Sequence, residues 1–552
     1  MDAGGAFASD DQTTVYEAFA RTRARWADRP FLHIPAHCAG GQIDLTYEQA
    51  AEAVTRIAGV YRRAGFGPGH HVALWLDNRA DFYLHWLALS AIGATLIPLG
   101  AELTPEEAGD LLQRADVDLL IHLPERRDAA SRAAHRVGDL ALATPGAFSS
   151  GHLAPAPVPR SARSPTNAAA IVFTSGSTGQ PKGCILSNEY FLAFGCWYRD
   201  LGGRCTLRPG EERLLTPLPL NHVNALAFSS MGMILTGGCI VQLDRFRPSS
   251  WWSTVSDARA TVMHYLGVMP AMLLQLPPEP REQTHSLRFG FGGGVRNAHH
   301  ASFEERFRVP LIEAWAMTET GGAGTLSTHV GPRNVGSGCI GQPSPRYSEA
   351  TIASESGVPV EAADADRVGE LLVRAAGTDP RRGFFGGYYK DQQATEVAWE
   401  GGWLHTGDLA RRAADGTFFF VGRRKQIIRR SGENISAAEV EAALGAQPRV
   451  KEVAVVPVPD ELREEEVFAC IVAEPDSQPS DALAAAILAG AGERLAYFKL
   501  PGYIAFVDSL PVTATQKLRY GAVGELAHAL LHRGSPQLFD LRNAKRKLRC
   551  AH

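Results

Sequence analysis

Apolar segments near the start of the chain alternate between strand and helix character, and that order leaves few architectures open. Residues 71–76 form a short apolar strand pattern, 82–92 carry helical apolar spacing, and 95–99 are strand-like again. Thr104-Pro105-Glu106-Glu107 then supplies a cap residue, a proline in the first turn and acidic residues, the marks of a helix start. Residues 117–123 follow as the next buried strand. Strand and helix in this alternation predict an α/β fold with a mainly parallel sheet covered by helices.

At 552 residues the chain exceeds what one core organises, so it is expected to divide. The basic cluster Gly422-Arg423-Arg424-Lys425-Gln426 interrupts apolar runs, and beyond it come short helix and strand patterns at 437–444, 452–458, 467–472 and 482–491. The boundary is placed at Lys425, giving domains 1–424 and 425–552. Residues 143–167, rich in Pro, Ser, Ala and Gly, are expected to be an exposed connector, and the basic segment 541–550 a solvated end.

Bulk charge narrows the partners. Lys and Arg number 55 against 59 Asp and Glu, a net charge of −4, so nothing drives nucleic-acid binding by overall charge. The eight cysteines contain no C-x-x-C pair, and His37-Cys38 lack partners at metal-ligand spacing. The first residues show no basic start followed by an apolar run, and the longest apolar stretch, 83–100, is broken by His85, Trp86, Gly93 and Pro98. A cytoplasmic protein without a membrane span is expected.

The apolar run 168–173 leads directly into Thr174-Ser175-Gly176-Ser177-Thr178-Gly179-Gln180-Pro181-Lys182-Gly183. Glycines let backbone N–H groups approach an anion, and hydroxyls and a lysine add donors and charge, so this loop suits phosphate. It is not a Walker loop, because Pro181 precedes the lysine and no Gly-Lys-Ser/Thr follows. A generic Gly/Ser loop would be a flexible polar turn; this ten-residue string is far more specific. Five further segments follow: Pro217-Leu218-Pro219-Leu220-Asn221-His222, Trp315-Ala316-Met317-Thr318-Glu319-Thr320, Gly402-Trp403-Leu404-His405-Thr406-Gly407-Asp408, the Gly422–Lys425 cluster continuing to Ser431-Gly432-Glu433-Asn434-Ile435-Ser436, and Pro511-Val512-Thr513-Ala514-Thr515-Gln516-Lys517.

In this order and over nearly the whole chain, these segments resemble the adenylate-forming superfamily: acyl-CoA synthetases, firefly-type luciferases and peptide-synthetase adenylation domains. The resemblance implies a large N-terminal domain with a small β-barrel-like subdomain, and a small mobile α+β C-terminal domain. It also implies site roles. Thr174, Ser175, Gly176, Ser177, Thr178, Gly179 and Lys182 would cradle phosphates. Gly292-Gly293-Gly294 would lie against adenine, although a glycine turn without function explains that string equally well. Trp315 would stack on the base, Thr318 contact phosphate, Asp408 bind the ribose hydroxyls and Arg423 the ribose. Glu319 would hold Mg²⁺, a hard cation that takes oxygen ligands. His222 would lie beside the acid, with a satisfied core histidine as the alternative. Lys425 matches the hinge, Gly432 the thiol tunnel, and Lys517 the lysine of the first half-reaction. Gln516 replaces the usual glycine there; if that position needs φ > 0 the turn is strained by about 1 kcal/mol or more.

The implied reaction uses ATP, Mg²⁺ and coenzyme A: a carboxylic acid becomes an acyl-adenylate, and the acyl group passes to a thiol. Ala316 stands where acetate-specific relatives carry tryptophan, which argues for a larger acid. Segments 221–228 and 292–297, with His222, Asn224, Arg296 and Asn297, are expected to line its pocket. Residues 401–408 and 430–436 look closest to the carnitine/crotonobetaine–CoA ligase branch. Loading of a separate carrier protein, a catalytically silent nucleotide-binding scaffold, and assembly as a homodimer all stay open.

Overall fold

The structure, a computed structural model, describes residues 13–159, 168–174, 180–295, 297–354, 359–360, 367–423, 427–511, 518 and 520–548. The backbone divides into two compact units. One comprises Met1–Ala101, Leu112–Val172 and Gly183–Arg424, and the other Glu102–Leu111, Phe173–Lys182 and Lys425–His552.

The alternating segments form a six-stranded sheet in the order Ala141–Ala143, Leu119–His122, His71–Trp75, Thr95–Pro98, Ala168–Thr174 and Lys182–Ser187. The first five strands pair in parallel. Every residue of His71–Trp75, Thr95–Pro98 and Leu119–His122 is buried, as expected where both faces are covered. The helix Ala80–Ile92 is buried almost all round and stops at Gly93, whose φ of 73° suits a left-handed cap. At the start of the helix Pro105–Arg114, Thr104 and Glu107 bond reciprocally, side chain to backbone N–H, at 3.0 and 3.2 Å.

A second, 13-stranded sheet begins with the parallel strands Leu311–Trp315, Phe289–Gly293, Val262–Leu266, Arg213–Thr216, Cys239–Gln242 and Pro30–Ile34, edged by the antiparallel Ile43–Thr46. Past Leu311–Trp315 it turns antiparallel through Leu326–Ser327, Cys339–Pro343, Phe418–Arg423, Leu404–Arg412, Val368–Ala375 and Ser348–Ile352. The small antiparallel part is thus hydrogen-bonded to the parallel sheet and continues it.

The stretch 143–167 is not wholly an exposed connector. Pro145–Ser150 is a short helix whose Phe148 is buried against Tyr61 and His85, with ring centroids 4.7 and 4.5 Å away. Ala156 N–H donates to the Ala64 carbonyl at 2.6 Å. Phe148, alone among small residues, supplies enough apolar surface to dock the segment; residues 160–167 lie outside the described residues.

In the chain after Lys425, the hairpin Ile427–Arg430/Glu433–Ser436 joins a sheet with Val450–Asp460, Glu464–Ala473, Tyr503–Phe506 and Leu538–Asp540. Strand periodicity splits its side chains between two cores. Val467, Ala469 and Ile471 face the helices Ala437–Gly445 and Asp481–Gly492, while Phe468, Cys470 and Val472 face Tyr520–Arg533. The basic end is not simply solvated. Arg542–Leu548 is a helix, and Lys545 is only 1% exposed, with Nζ 2.7 Å from Glu466 Oε1. Arg430 Nε donates to both Glu466 oxygens at 2.8 and 2.9 Å. One buried carboxylate between two cations makes the burial tolerable. Among the described residues, no helix is long and apolar enough to cross a membrane.

Candidate active site

Four neighbouring parallel strands end on the same edge of the large sheet. Arg213–Thr216 leads into His222, Val262–Leu266 into Gly267, Phe289–Gly293 into Gly294, and Leu311–Trp315 into Ala316–Glu319. Parallel strands necessarily present their carboxyl ends together, and ligands of open α/β sheets bind there.

The glycines at this edge are there for close packing. A Cβ on Gly292 would fall 2.1 Å from the Tyr265 carbonyl oxygen, and one on Gly293 2.5 Å from the Ala314 oxygen. Gly294 has φ of 81°, the left-handed region. Behind the turn, buried Glu313 accepts the Gly294 and Val295 N–H groups at 3.1 and 3.4 Å and the Tyr265 hydroxyl at 2.6 Å. Burial pushes the Glu313 carboxyl up to about 7, outweighing those hydrogen bonds. Gly292 pairs with both Tyr265 and Glu313, so the string is a strand end clamped between two neighbours, with its exit held by a buried acid.

After Trp315 the chain turns. Met317 N–H donates to Thr320 Oγ1 at 2.9 Å, and the Thr318 carbonyl accepts the Tyr190 hydroxyl at 2.8 Å. Gly321 has φ of 54°, and a Cβ there would meet the Gly383 oxygen and the Tyr190 ring, both at 2.7 Å. Glu319 is buried and accepts the Tyr388 hydroxyl at Oε1, 2.9 Å away, while its carbonyl takes the Phe385 N–H at 3.0 Å. The segment 385–389 also bonds to the strand leaving the Gly/Ser loop: Gly386 N–H to Ile185 O at 2.7 Å, Ile185 N–H to Gly387 O at 2.9 Å, and Tyr389 N–H to Gly183 O at 2.7 Å. One segment therefore ties Glu319 to the strand that follows the loop.

Asp408 is brought in by an irregular strand. The pairing of Val368–Ala375 with Leu404–Arg412 shifts register between Glu370 and Leu372, opposite residues 406–408. Gly407 has φ of 72° and its N–H donates to Glu370 Oε1 at 2.8 Å; Thr406 Oγ1 donates to the Leu371 carbonyl at 2.6 Å and accepts the Asp408 N–H at 3.1 Å. Such a bulge re-aims one side chain. Asp408 is thereby buried, and its Oδ2 accepts the Trp315 indole N–H at 2.8 Å. Arg423 lies opposite Asp408 in the register of the next strand.

At His222 the backbone turns from the Pro219 carbonyl, 3.1 Å from the His222 N–H, into a π-helix at Asn224–Ser229. Wide turns of this kind recur at functional sites. The Ser229 and Ser230 hydroxyls bond back to the Asn224 and Ala225 carbonyls at 3.0 and 2.7 Å, five residues earlier. Phe228 stacks on buried His264 with centroids 4.5 Å apart, and His264 bonds Ser229 at 2.7 Å and Tyr198 at 3.0 Å. Burial pushes the His264 imidazole down to about 3, so it is neutral at any working pH.

The structure thus gathers Gly292, Gly293, Gly294, Trp315, Thr318, Glu319 and Asp408 on adjoining strands, with His222 at the same edge. Thr174 closes the strand Ala168–Thr174 and Lys182 opens Lys182–Ser187. Gly432, φ 85°, sits with Ser431, φ 53°, at the tip of the hairpin, a two-residue turn of the primed type. Ser175, Gly176, Ser177, Thr178, Gly179, Arg296, Lys425, Gln516 and Lys517 lie outside the described residues. Sequence reasoning missed Glu313, Glu370 and Tyr388. Glu313 and Glu370 each carried one signal, an acid inside a mostly apolar strand; Tyr388 carried none.

These residues fit the groups that the resemblance implies. Glycines keep the strand end at Gly292–Gly294 free of side chains, as a group lying against backbone needs, and the buried carboxylate of Glu319 on its turn would suit Mg²⁺, a hard cation that takes oxygen ligands.

Comparison with known proteins agrees. Residues 19–389 match the AMP-binding enzyme family, and residues 439–517 the AMP-binding enzyme C-terminal domain. Crotonobetaine/carnitine–CoA ligase of Salmonella heidelberg is 30% identical over 501 residues, covering 87% of this chain and 93% of the relative. The corresponding ligase of Proteus mirabilis is 30% identical over 495 residues, 86% and 92% of the two chains. Amide bond synthetase McbA from Marinactinospora thermotolerans superposes with a TM-score of 0.79 at 27% identity, covering 92% of this chain and 99% of that one. o-Succinylbenzoate CoA synthetase from Bacillus subtilis shares the fold, with a TM-score of 0.77 at 22% identity over 92% and 98%. The chain belongs to the AMP-binding enzyme family, in its branch of AMP-forming acid–CoA ligases.

Proposed function

We propose that the protein joins a carboxylic acid larger than acetate to coenzyme A in two steps, through an acyl-adenylate. The observation that supports this most is the convergence of the Gly292–Gly294 strand end, the Trp315–Glu319 turn and Asp408 at one sheet edge, with Trp315 and Asp408 directly bonded. In the first step the substrate carboxylate attacks the α-phosphate of ATP and pyrophosphate leaves. No enzyme nucleophile is needed, so the chain contributes in-line positioning and charge stabilisation. Asp408 and Arg423 bind the ribose, Trp315 and Gly292–Gly294 the base, and Thr174–Gly179 with Lys182 and Thr318 the phosphates. Glu319 would hold Mg²⁺, which would neutralise phosphate charge. In this reading Lys517 supplies the positive charge between carboxylate and α-phosphate, and residues 425–552 then swing about Lys425 so that the thiol, passing Gly432, displaces AMP.

The kinship with crotonobetaine/carnitine–CoA ligases makes crotonobetaine and carnitine the first acids to try. The likeness to an amide bond synthetase favours a second acceptor class, an amine in place of the thiol. ATP–pyrophosphate exchange over a varied panel of acids tests activation without assuming an acceptor. Exchange with no acid across that panel refutes the reading. Coenzyme A, amines and a phosphopantetheinylated carrier, each added with the active acid, then identify the acceptor.

A further inference from the structure

Trp315 and Asp408 are 93 residues apart in sequence and arrive on different strands, yet the indole N–H is 2.8 Å from Asp408 Oδ2. Both are nearly out of solvent, at 6% and 4% exposure. An N–H donor on a buried carboxylate is a charge-assisted bond with a fixed direction. It holds one oxygen and so sets which way the other faces. The Asp408 N–H is held by Thr406 Oγ1 and the neighbouring Gly407 N–H by Glu370 Oε1, so the backbone beneath the carboxylate is fixed by bonds separate from the indole one. An aromatic ring that only covered a base would need no N–H; tyrosine or phenylalanine would serve.

From this geometry we infer that Trp315 is a positioning residue for Asp408: its indole N–H orients the carboxylate that reads the ribose hydroxyls, so one side chain couples base recognition to sugar recognition. This rests on the proposed nucleotide site. The sugar hydroxyls of ATP then bind an acceptor already turned towards them, and the entropic cost of ordering it is met in the free enzyme.

Two substitutions separate the N–H from the ring. Trp315→Phe keeps an aromatic face and removes the donor. Trp315→His keeps the donor, because its Nε2 occupies the place of the indole nitrogen on a five-membered ring, and removes the benzo ring. The measurement is kcat/KM in acid-dependent pyrophosphate release for ATP, 2′-deoxy-ATP and 3′-deoxy-ATP, with wild type and each variant first checked by thermal melting. In the wild type, ATP is preferred over the deoxy analogues. In Trp315→Phe, KM for ATP rises about tenfold, the lower end for a hydrogen bond to a charged group, and the preference for ATP falls by a similar factor. In Trp315→His, affinity falls alike for all three nucleotides and the preference is kept. In an Asp408→Asn background the Trp315→Phe effect on sugar preference vanishes, since coupled residues are non-additive.

A Trp315→Phe enzyme that retains the wild-type sugar preference overturns the inference. So does a Trp315→His enzyme that folds but loses it, which keeps the test decisive if Trp315→Phe does not fold. An enzyme with no acid-dependent pyrophosphate release fails earlier, at the proposed function itself.

Discussion

At the scale of single residues, Lys517 and Glu313 give the most direct tests. Lys517 lies outside the described residues, and its role rests on the C-terminal motif. A unit charge about 4 Å from the reacting phosphate contributes on the order of 4 kcal/mol at an effective dielectric near 20. Lys517→Ala is therefore expected to slow adenylation by roughly 10²–10³ while sparing thioester formation from pre-made acyl-AMP. Single-turnover assays of the two half-reactions check this, and an equal loss in both contradicts it. Glu313 gives a pH signature. Its folded pKa is raised from 4.5 to about 7, so the folded state holds the proton more tightly than the unfolded state does. Its contribution is complete below about pH 4.5 and is lost as pH rises through about 7. The stability of wild type relative to Glu313→Gln should fall by roughly 3 kcal/mol between pH 4.5 and 8, read from denaturant midpoints at each pH. A difference that stays level across that range would mean the carboxyl is ionised throughout.

At the scale of elements, glycines of identical chemistry have different jobs. A Cβ on Gly292 meets a backbone oxygen at 2.1 Å between two paired strands, and neither neighbour can withdraw without breaking the ladder. Gly292→Ala should cost about 3 kcal/mol or more and raise KM for ATP. Gly401, with φ of 64° and nothing within 4 Å, pays only for its backbone conformation. Gly401→Ala should cost about 1–2 kcal/mol and leave KM unchanged. Urea unfolding with ATP titration separates the two; equal KM effects would remove Gly292 from the nucleotide site. The register shift opposite residues 406–408 shows the same principle in a strand, where two extra residues in Leu404–Arg412 let Asp408 turn towards Trp315.

At the scale of the whole molecule, the helix Arg542–Leu548 is a structural member. Burial raises the Glu466 carboxyl, but Lys545 and Arg430 more than reverse this, and the group is held below the usual range. Burial and the nearby Arg430 push the Lys545 ammonium down despite Glu466. Glu466→Gln leaves two buried cations without their counter-charge and should destabilise the C-terminal part by about 3–5 kcal/mol. Lys545→Met leaves the Arg430–Glu466 pair intact and should cost far less. Hydrogen exchange of the strands Val450–Asp460 and Glu464–Ala473 reads both variants, and a larger loss in Lys545→Met would reverse the assigned hierarchy.

How much was legible follows from the range of the interactions. Strand and helix alternation is a local pattern, so the residues at 71–122 specified their own elements and, through them, a parallel sheet with carboxyl ends aligned. Short strings from Gly292 to Asp408 marked residues that the fold brings to one sheet edge, because tight turns and close backbone approach demand particular residue types side by side. Tertiary structure alone decided who touches whom: Trp315 with Asp408, Tyr388 with Glu319, Glu313 behind Gly294, and Lys545 with Glu466. Phe148 docking a Pro-rich segment belongs with them. Each depends on the register of strands brought together from distant parts of the chain, and a one-residue slip in such a register turns the side chain to the other face. Composition and spacing along one strand carry no record of that alignment, which is settled only when the strands pair.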